Sequence, residues 1–320
     1  MSAAALTVGG CSALAGRKLP AGTIPRSKLG RTGIEVSRLG FGSHLKPDLI
    51  RNPKLRDKMI KTGFDREITT FDVYDHAGYK QFEPMGKSVR GFRKDVVISL
   101  CSVKKDTEMQ DEIDDALRVF FTDFIDLYRI NTVTDDRINI LEKNRKAGKI
   151  RAIGVVSHDE NDFMKHVDRY GGVLDYVMIV YNFHHNIGRP KKGSGMPPND
   201  YSALIPRCAA KGLGILGIKP MGSDDMVEFA RSHGYFNRKG PSLSHAILRH
   251  VFAGPEIDCA MPAMNSMDEL AKNLDAACRP AISTEEEALL AALSRDADSM
   301  RAEYLSPKYR WLDGWRVREV

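Results

Sequence analysis

Short, continuous apolar segments recur along the chain from residue 38 onward and alternate with segments whose apolar residues repeat at helical spacing. Uninterrupted apolar strands are typical of a parallel sheet that helices cover on its outer face. The pattern predicts eight strands, at residues 38–43, 69–75, 96–101, 124–130, 150–156, 176–182, 213–219 and 257–262.

Amphipathic segments between these strands predict helices. Thr107 is a favourable residue for the start of one helix, and Gly148 for the end of another. The predicted helices cover residues 52–65, 81–92, 107–121, 136–149, 159–171, 200–212 and 266–277, with a further helix after residue 280.

This alternation predicts an α/β fold, a closed (β/α)8 TIM barrel with an extra C-terminal helix. No GxGxxG motif follows the first strand, so the doubly wound dinucleotide-binding fold is disfavoured. Residues 27–36 predict an N-terminal β-hairpin that closes the bottom of the barrel. The Gly- and Pro-rich residues 186–200 predict a long loop over the top face.

The first residues of the chain are small, apolar and low in complexity. We interpret residues 1–22 as a leader or truncated signal-like segment, and residues 23–320 as one barrel domain with a C-terminal tail. Residues 8–11 resemble a lipoprotein cleavage box with Cys11 as the lipidated residue, but no basic segment precedes them. We expect a cytoplasmic protein, with export or lipid anchoring through Cys11 as the alternative if the true start lies upstream.

Composition narrows the choice of partners. The 320 residues are 42% hydrophobic and 28% charged, as in ordinary globular proteins, and the net charge is +6. Basic residues are scattered rather than clustered, which argues against nucleic acid as a partner. No apolar run is long enough to span a bilayer. The five cysteines form no CxxC pair, which argues against a structural zinc site or a disulfide framework.

Several motifs occur in an order that resembles the aldo-keto reductases. They include LGRTGIEVSRLGFGS at residues 29–43, TDFIDLY at 122–128, GKIRAIGV at 148–155 and MPAMNSMDELAKNL at 261–274. The resemblance extends over about residues 26–300. It implies the same barrel, a nicotinamide dinucleotide (NADP or NAD) across the top face, and reduction of a small-molecule carbonyl substrate.

The catalytic residues that the resemblance implies are only partly matched. The family works with an Asp, a Tyr, a Lys and a His at fixed strand ends, where the Tyr donates a proton and the Lys lowers its pKa. The Asp position is Asp72, and the His position is Asn131. The Tyr position is Ala77, and the Lys position is Cys101 or Leu100. The resemblance therefore implies catalytic roles for Asp72 and Asn131 in a site with an altered proton donor.

Nearby side chains offer substitutes for the missing proton donor. Tyr79 lies two positions past the expected Tyr, and His76 lies next to it. We predict Tyr79 or His76 as the proton-transfer group, with Tyr74 as a further candidate. Without a Lys partner, Asp72 is equally expected to be a cap or a polar residue facing solvent in the barrel mouth, the face at the C-terminal ends of the strands.

The positions expected to hold the nucleotide are matched unevenly. The family's Ser-Asn pair and Gln around the nicotinamide correspond to Val156, Ser157 and Met178, and methionine cannot replace two amide hydrogen bonds. The phosphate-binding end is better matched, because it includes a predicted helix N-terminus. The resemblance implies cofactor contacts by Gly42, Ser43, Ser157, Tyr181, Lys219, Pro220, Met221, Gly222, Asn265, Ser266, Glu269 and Asn273.

Histidine and aspartate residues also collect at the predicted strand ends, and they leave two other functions open. Barrel enzymes bind divalent metal ions with such groups at this face. The alternatives are a metal-dependent barrel enzyme, and a catalytically inactive barrel that serves as a binding subunit. The side chains concerned are His44, Asp72, Asp75, His76, His158, His184 and His185.

Overall fold

The computed structural model describes residues 22–42, 49, 51–75, 80–184, 199–222, 224–254 and 256–299. Within these ranges, an antiparallel hairpin precedes a seven-stranded parallel sheet whose strands follow one another in chain order. The hairpin strands are β1 (Arg26–Lys28) and β2 (Glu35–Ser37). The parallel strands are β3 (Thr70–Val73), β4 (Val97–Ser102), β5 (Ile125–Ile130), β6 (Ile150–Val156), β7 (Tyr176–Val180), β8 (Gly214–Ile218) and β9 (Cys259–Met261).

Residues 39–42 close this sheet into a barrel. They were predicted as part of a first strand at 38–43, but they pair only through isolated parallel bridges. Leu39 and Gly42 bridge to the β9 side, and Phe41 bridges to Phe71 of β3. The Phe41 N–H donates to Thr70 O at 2.8 Å, and the Phe41 carbonyl accepts from the Asp72 N–H. The predicted (β/α)8 barrel is thus confirmed, with its first strand reduced to bridges.

Helices cover the outside of the barrel. They are α1 (Pro53–Asp65), α2 (Phe82–Val89), α3 (Met109–Val119), α4 (Asp135–Lys146), α5 (Glu160–Tyr170), α6 (Leu204–Ala210), α7 (Asp224–Ser232), α8 (Leu243–Ala253), α9 (Met267–Cys278) and α10 (Thr284–Ser299). Several begin at side-chain caps, such as Thr134 Oγ1, which accepts from the Arg137 N–H at 3.3 Å before α4. Gly148, with φ of +77°, follows α4 as predicted.

Two helix predictions differ from the structure. Thr107 does not start a helix, because it lies inside a 3-10 turn (Asp106–Glu108) and the α-helix begins at Met109. The interval between β8 and β9 contains both α7 and α8, for which the sequence analysis gave no bounds. The apolar residues of α8 are buried around much of its circumference, so its amphipathic signal is weak.

The hairpin closes the bottom of the barrel, as predicted. Leu29, Ile34 and Val36 are buried and pack with inward-facing residues of the barrel strands. The connecting turn contacts the start of β8, where the Arg31 N–H donates to Gly212 O at 2.8 Å. A Cβ added to Gly30 would lie 2.3 Å from the Gly214 nitrogen, so only glycine fits this approach. None of the described helices has the length and apolar character that crossing a membrane requires.

Candidate active site

Asp72 lies in β3 with its side chain inside the barrel, and it is 2% exposed. Its carboxylate accepts a hydrogen bond from Ser99 Oγ at 2.9 Å. The Arg129 guanidinium binds both carboxylate oxygens, with Nη2 donating to Oδ2 at 3.0 Å and Nη1 to Oδ1. Arg129 Nη1 also donates to Ser99 Oγ at 2.7 Å. The expectation that Asp72 faces solvent without a cationic partner is therefore wrong.

The strand register brings Arg129 to this position. Asp72 pairs with Ser99 across β3 and β4, and Cys101 pairs with Arg129 across β4 and β5. Laterally paired residues of a parallel sheet project to the same face, so these side chains all point into the barrel. Arg129 was not predicted as a site residue from the sequence. Every residue of its strand, IDLYRI, is buried, and a charged residue in a predicted buried strand is itself a signal, because it requires a buried partner.

The ion pair is charged on both sides. Burial alone would lower the pKa of Arg129, but the Asp72 carboxylate offsets this and the pKa is raised. Arginine therefore remains protonated here at any physiological pH. Breaking such a pair from one side leaves an uncompensated buried charge. Asp72 and Arg129 thus form a fixed electrostatic unit beneath the barrel mouth.

Three further titratable side chains surround this unit. Cys101 is 6% exposed, and burial raises the pKa of its thiol to about 11 although Arg129 opposes the shift. The ring of Tyr176 lies directly over Gly154, and burial raises its pKa. Within the described residues, the Tyr176 hydroxyl has no partner of hydrogen-bond geometry, even though Ser99 is close enough to lower its pKa. Tyr74 is partly buried at the end of β3.

Of the other predicted catalytic residues, Asn131 is described, and it is not part of the ion pair. Asn131 is exposed just beyond β5, and its Oδ1 accepts from Thr132 Oγ1 at 3.4 Å. His76 and Tyr79 lie outside the described residues. The residues that flank them are described: Asp75 and Lys80 form an ion pair at 3.6 Å.

The residues predicted around the nicotinamide have other contacts. Ser157 Oγ accepts from the Asp159 N–H at 3.1 Å, at the start of α5. The Tyr181 ring lies 6.4 Å from the His250 ring, and its hydroxyl lies next to Gly254, so it packs against α8. Gly42 donates its N–H to Pro262 O at 2.9 Å, and Ser43 lies outside the described residues.

The loop after β8 forms a tight turn. Lys219 has a φ of +54°, which is unusual for a residue with a side chain, and Gly222 has a φ of +84°. The Gly222 N–H donates to Lys219 O at 2.9 Å, and Asn182 Nδ2 donates to the same oxygen at 3.3 Å. Pro220 is buried within this turn, and Met221 packs against the cluster of α7 and α10.

The loop after β9 leads into the N-terminus of α9. Ser266 is the N-cap of this helix, and its Oγ accepts from the Glu269 N–H at 3.1 Å. The Glu269 carboxylate accepts in turn from the Asn265 N–H at 2.7 Å. Asn273 is buried on the face of α9 that packs on the barrel. This second group of predicted phosphate-binding residues therefore lies in the loop after β9 and the helix that follows it.

These residues fit a dinucleotide best at its phosphate end. The side chain of Lys219 is partly exposed beside the turn after β8, and α9 presents backbone N–H groups and a hydroxyl at its N-terminus. Such a set binds anions through charge and the helix dipole. At the nicotinamide end, Met178 is buried inside the barrel and offers no amide hydrogen bond. The chain therefore supplies phosphate donors more clearly than carboxamide contacts.

The histidines that motivated the metal alternative are dispersed in the part of the chain that the structure describes. His184 is buried, with Nδ1 3.0 Å from Ser294 Oγ and Nε2 3.9 Å from Asp298. Searching the described residues yields no group of three or more His, Cys, Asp or Glu side chains able to hold a metal ion. His44, His76 and His185 lie outside those residues.

Comparison with known proteins identifies a family. A sequence model described as the Aldo/keto reductase family matches residues 52–295. L-galactose dehydrogenase from Arabidopsis thaliana is 21% identical in an alignment 287 positions long that covers 78% of this chain and 86% of that protein. Aldo-keto reductase YhdN from Bacillus subtilis is 26% identical in an alignment 175 positions long that covers 47% of this chain and 52% of that protein.

A solved structure also matches the barrel. The holo form of aldo-keto reductase AKR11C1 from Bacillus halodurans superposes with a TM-score of 0.63 at 19% identity, covering 84% of this chain and 96% of the other. At this identity the likeness shows the fold alone.

Proposed function

The chain belongs to the aldo/keto reductase family, and on that premise we propose that it catalyses NAD(P)-dependent reduction of a small carbonyl compound with an altered proton donor. The observation that carries this proposal is the buried ion pair of Asp72 and Arg129 below the barrel mouth. A buried ion pair contributes little net stability relative to apolar side chains of similar volume. Its presence therefore favours a chemical role over an inactive barrel.

The chain's own residues divide the work of such a reaction. Lys219 and the N-terminus of α9, with its cap Ser266, would hold the phosphates of the cofactor. When bound, the reduced nicotinamide supplies the hydride. The side chains of the barrel mouth orient the carbonyl compound and provide the proton for its oxygen. Whether NADP or NAD is used depends on the adenosine end, where the sequence offers no arginine for a 2′-phosphate.

The identity of the proton donor is part of the proposal. The candidates from sequence are Tyr79, His76 and Tyr74, and the described residues that flank the first two, Asp75 and Lys80, form an ion pair beyond β3. Asp72 and Arg129 form the charged pair at the base of the site, where the family pattern has an Asp and a Lys. Asn131 stays a predicted contact for the substrate at the end of β5.

The relatives help to choose substrates for the first test. One of them is named L-galactose dehydrogenase, so sugars and sugar lactones, together with simple aldehydes and ketones, form the first set of compounds. We expect purified protein to change the absorbance of NADPH or NADH with at least one carbonyl compound, or of the oxidised nucleotide with an alcohol. Absence of turnover with every compound, in both directions, would instead favour the binding-subunit alternative.

We also propose that the protein acts in the cytoplasm. The four cysteines that fall within the described residues are all free thiols, three of them buried, as expected in a reducing compartment. Cys11, on which export through a lipid anchor would depend, lies outside those residues.

A further inference from the structure

Tyr74 directly follows β3, two residues after the inward-facing Asp72. Asp72 pairs with Ser99 and Val73 with Leu100, and continuing this register one residue beyond the last pair places Tyr74 beside Cys101. Cys101 in turn pairs with Arg129 on the next strand. Tyr74 therefore stands at the top of the column that contains Asp72, at the point where the strand opens into the mouth.

Tyr74 is more exposed to solvent than its neighbours in this layer. Asp72 and Arg129 are 2% and 3% exposed, and Cys101 is also buried. Tyr74 is only partly buried. It is therefore the member of this group that a molecule entering the mouth would meet first.

The charges that act on the Tyr74 hydroxyl come from three strands. Burial raises its pKa, the Asp72 and Cys101 side chains raise it further, and the Arg129 guanidinium lowers it. The hydroxyl is thus close enough to the buried ion pair for its proton affinity to depend on both partners. Asp72 raises the proton affinity of the Tyr74 hydroxyl and Arg129 lowers it, so the ion pair as a whole adjusts that affinity.

We propose that Tyr74 is the group that donates the proton to the substrate oxygen, and that Arg129 is the positioning residue that fixes the charge beside its hydroxyl. This inference rests on the proposed reduction. As hydride adds to the carbonyl carbon, the C=O π bond breaks, its electrons pass to oxygen, and the Tyr74 O–H proton transfers to that oxygen. The products are an alcohol, the oxidised nucleotide and a tyrosinate, which water then reprotonates.

Other buried groups suit this role less well. Tyr176 is fully buried beneath the layer, and the Tyr128 hydroxyl donates to Glu112 Oε1 at 2.6 Å on the outer side of the sheet. The Cys101 thiol has a pKa of about 11 and is buried. Arg129 cannot give up a proton, so it acts through its fixed charge, held by Asp72 and Ser99.

The first test compares tyrosine variants in turnover and in nucleotide binding. Tyr74→Phe removes the hydroxyl and keeps the ring, so we expect kcat to fall roughly 10²–10⁴-fold with nucleotide affinity unchanged. Tyr170→Phe is the matched control, because that hydroxyl binds Asp135 on the helix layer at 2.6 Å. A loss in Tyr79→Phe or His76→Ala, with Tyr74→Phe near wild type, would overturn this inference and leave the proposed function standing.

The second test needs neither cofactor nor turnover. The ultraviolet difference between wild type and Tyr74→Phe, followed against pH, reports the ionisation of Tyr74. Asp72→Asn removes a negative charge and should shift this ionisation to lower pH, whereas Arg129→Met removes a positive charge and should shift it to higher pH. Arg129→Lys keeps the charge and should return it towards wild type.

These opposite shifts are not expected from a merely structural ion pair. If Asp72→Asn or Arg129→Met fails to fold, the other of these two variants still tests the charge effect, and the turnover of Tyr74→Phe still tests the donor role. An ionisation that responds to neither Asp72→Asn nor Arg129→Met contradicts the role given to Arg129. A wild-type protein that neither binds nucleotide nor turns over would defeat the proposed function itself, and the donor role with it.

Discussion

Arg129 changes how single residues of this site are understood. Burying a guanidinium in a barrel strand costs desolvation free energy. Hydrogen bonds from Arg129 to both carboxylate oxygens of Asp72 and to the Ser99 hydroxyl offset this cost. Asp72 could be identified from sequence because it lies in a recognisable strand and matches the Asp position that the family resemblance implies. Its partner could not, because the contact joins strands that are not adjacent, 57 residues apart in the chain. That pairing depends on the curvature and register of the closed barrel.

Removing one partner of this pair should be costly. We expect Arg129→Met to lower the free energy of unfolding by about 3–5 kcal/mol, because it leaves the Asp72 carboxylate buried without a cation. The double variant Asp72→Asn/Arg129→Met should lose less than Arg129→Met alone. Urea unfolding followed by circular dichroism measures the wild type, the single variants Asp72→Asn and Arg129→Met, and the double variant. Losses that simply add would show that the two side chains are not coupled.

The helices and strands illustrate what local sequence specifies. Periodicity predicted most elements, because strands such as β7 and β8 are uninterrupted apolar runs and helices such as α9 begin at a capping residue. Predicted boundaries were wrong where tertiary contacts rather than local sequence determine them. Thr107 has a suitable side chain for a helix N-cap, but it lies in a 3-10 turn that precedes α3. Residues 39–42 form bridges rather than a strand because both their partners come from distant parts of the chain.

The N-terminus of α9 offers a test at this scale. Ser266→Ala removes the N-cap hydrogen bond to the Glu269 N–H, so we expect a loss of about 1 kcal/mol in stability. If this helix end binds the cofactor phosphates, nucleotide affinity should also fall, roughly fivefold for a loss of that size. Thr134→Ala is the control, because it removes the equivalent cap of α4. Equal effects of both variants on affinity would contradict a phosphate site at α9.

The whole molecule combines a familiar barrel with an unfamiliar set of side chains at its mouth. The family match and the sheet topology agree on the fold. The motifs that carried this prediction lie in packing positions, such as the hairpin residues Leu29 and Val36 against the barrel interior. The proposed chemistry depends on a few positions that differ from the pattern expected of the family, so the fold could be predicted further than the reaction.

The most direct test of this account is a titration of the purified protein with NADPH and with NADH, followed by nucleotide fluorescence. An NAD(P)-dependent reductase should bind at least one of them with a dissociation constant in the micromolar range, as enzymes generally bind their substrates. Ser266→Ala should weaken that binding, and Tyr74→Phe should leave it unchanged. No binding of either nucleotide at millimolar concentration would contradict the proposed oxidoreductase function.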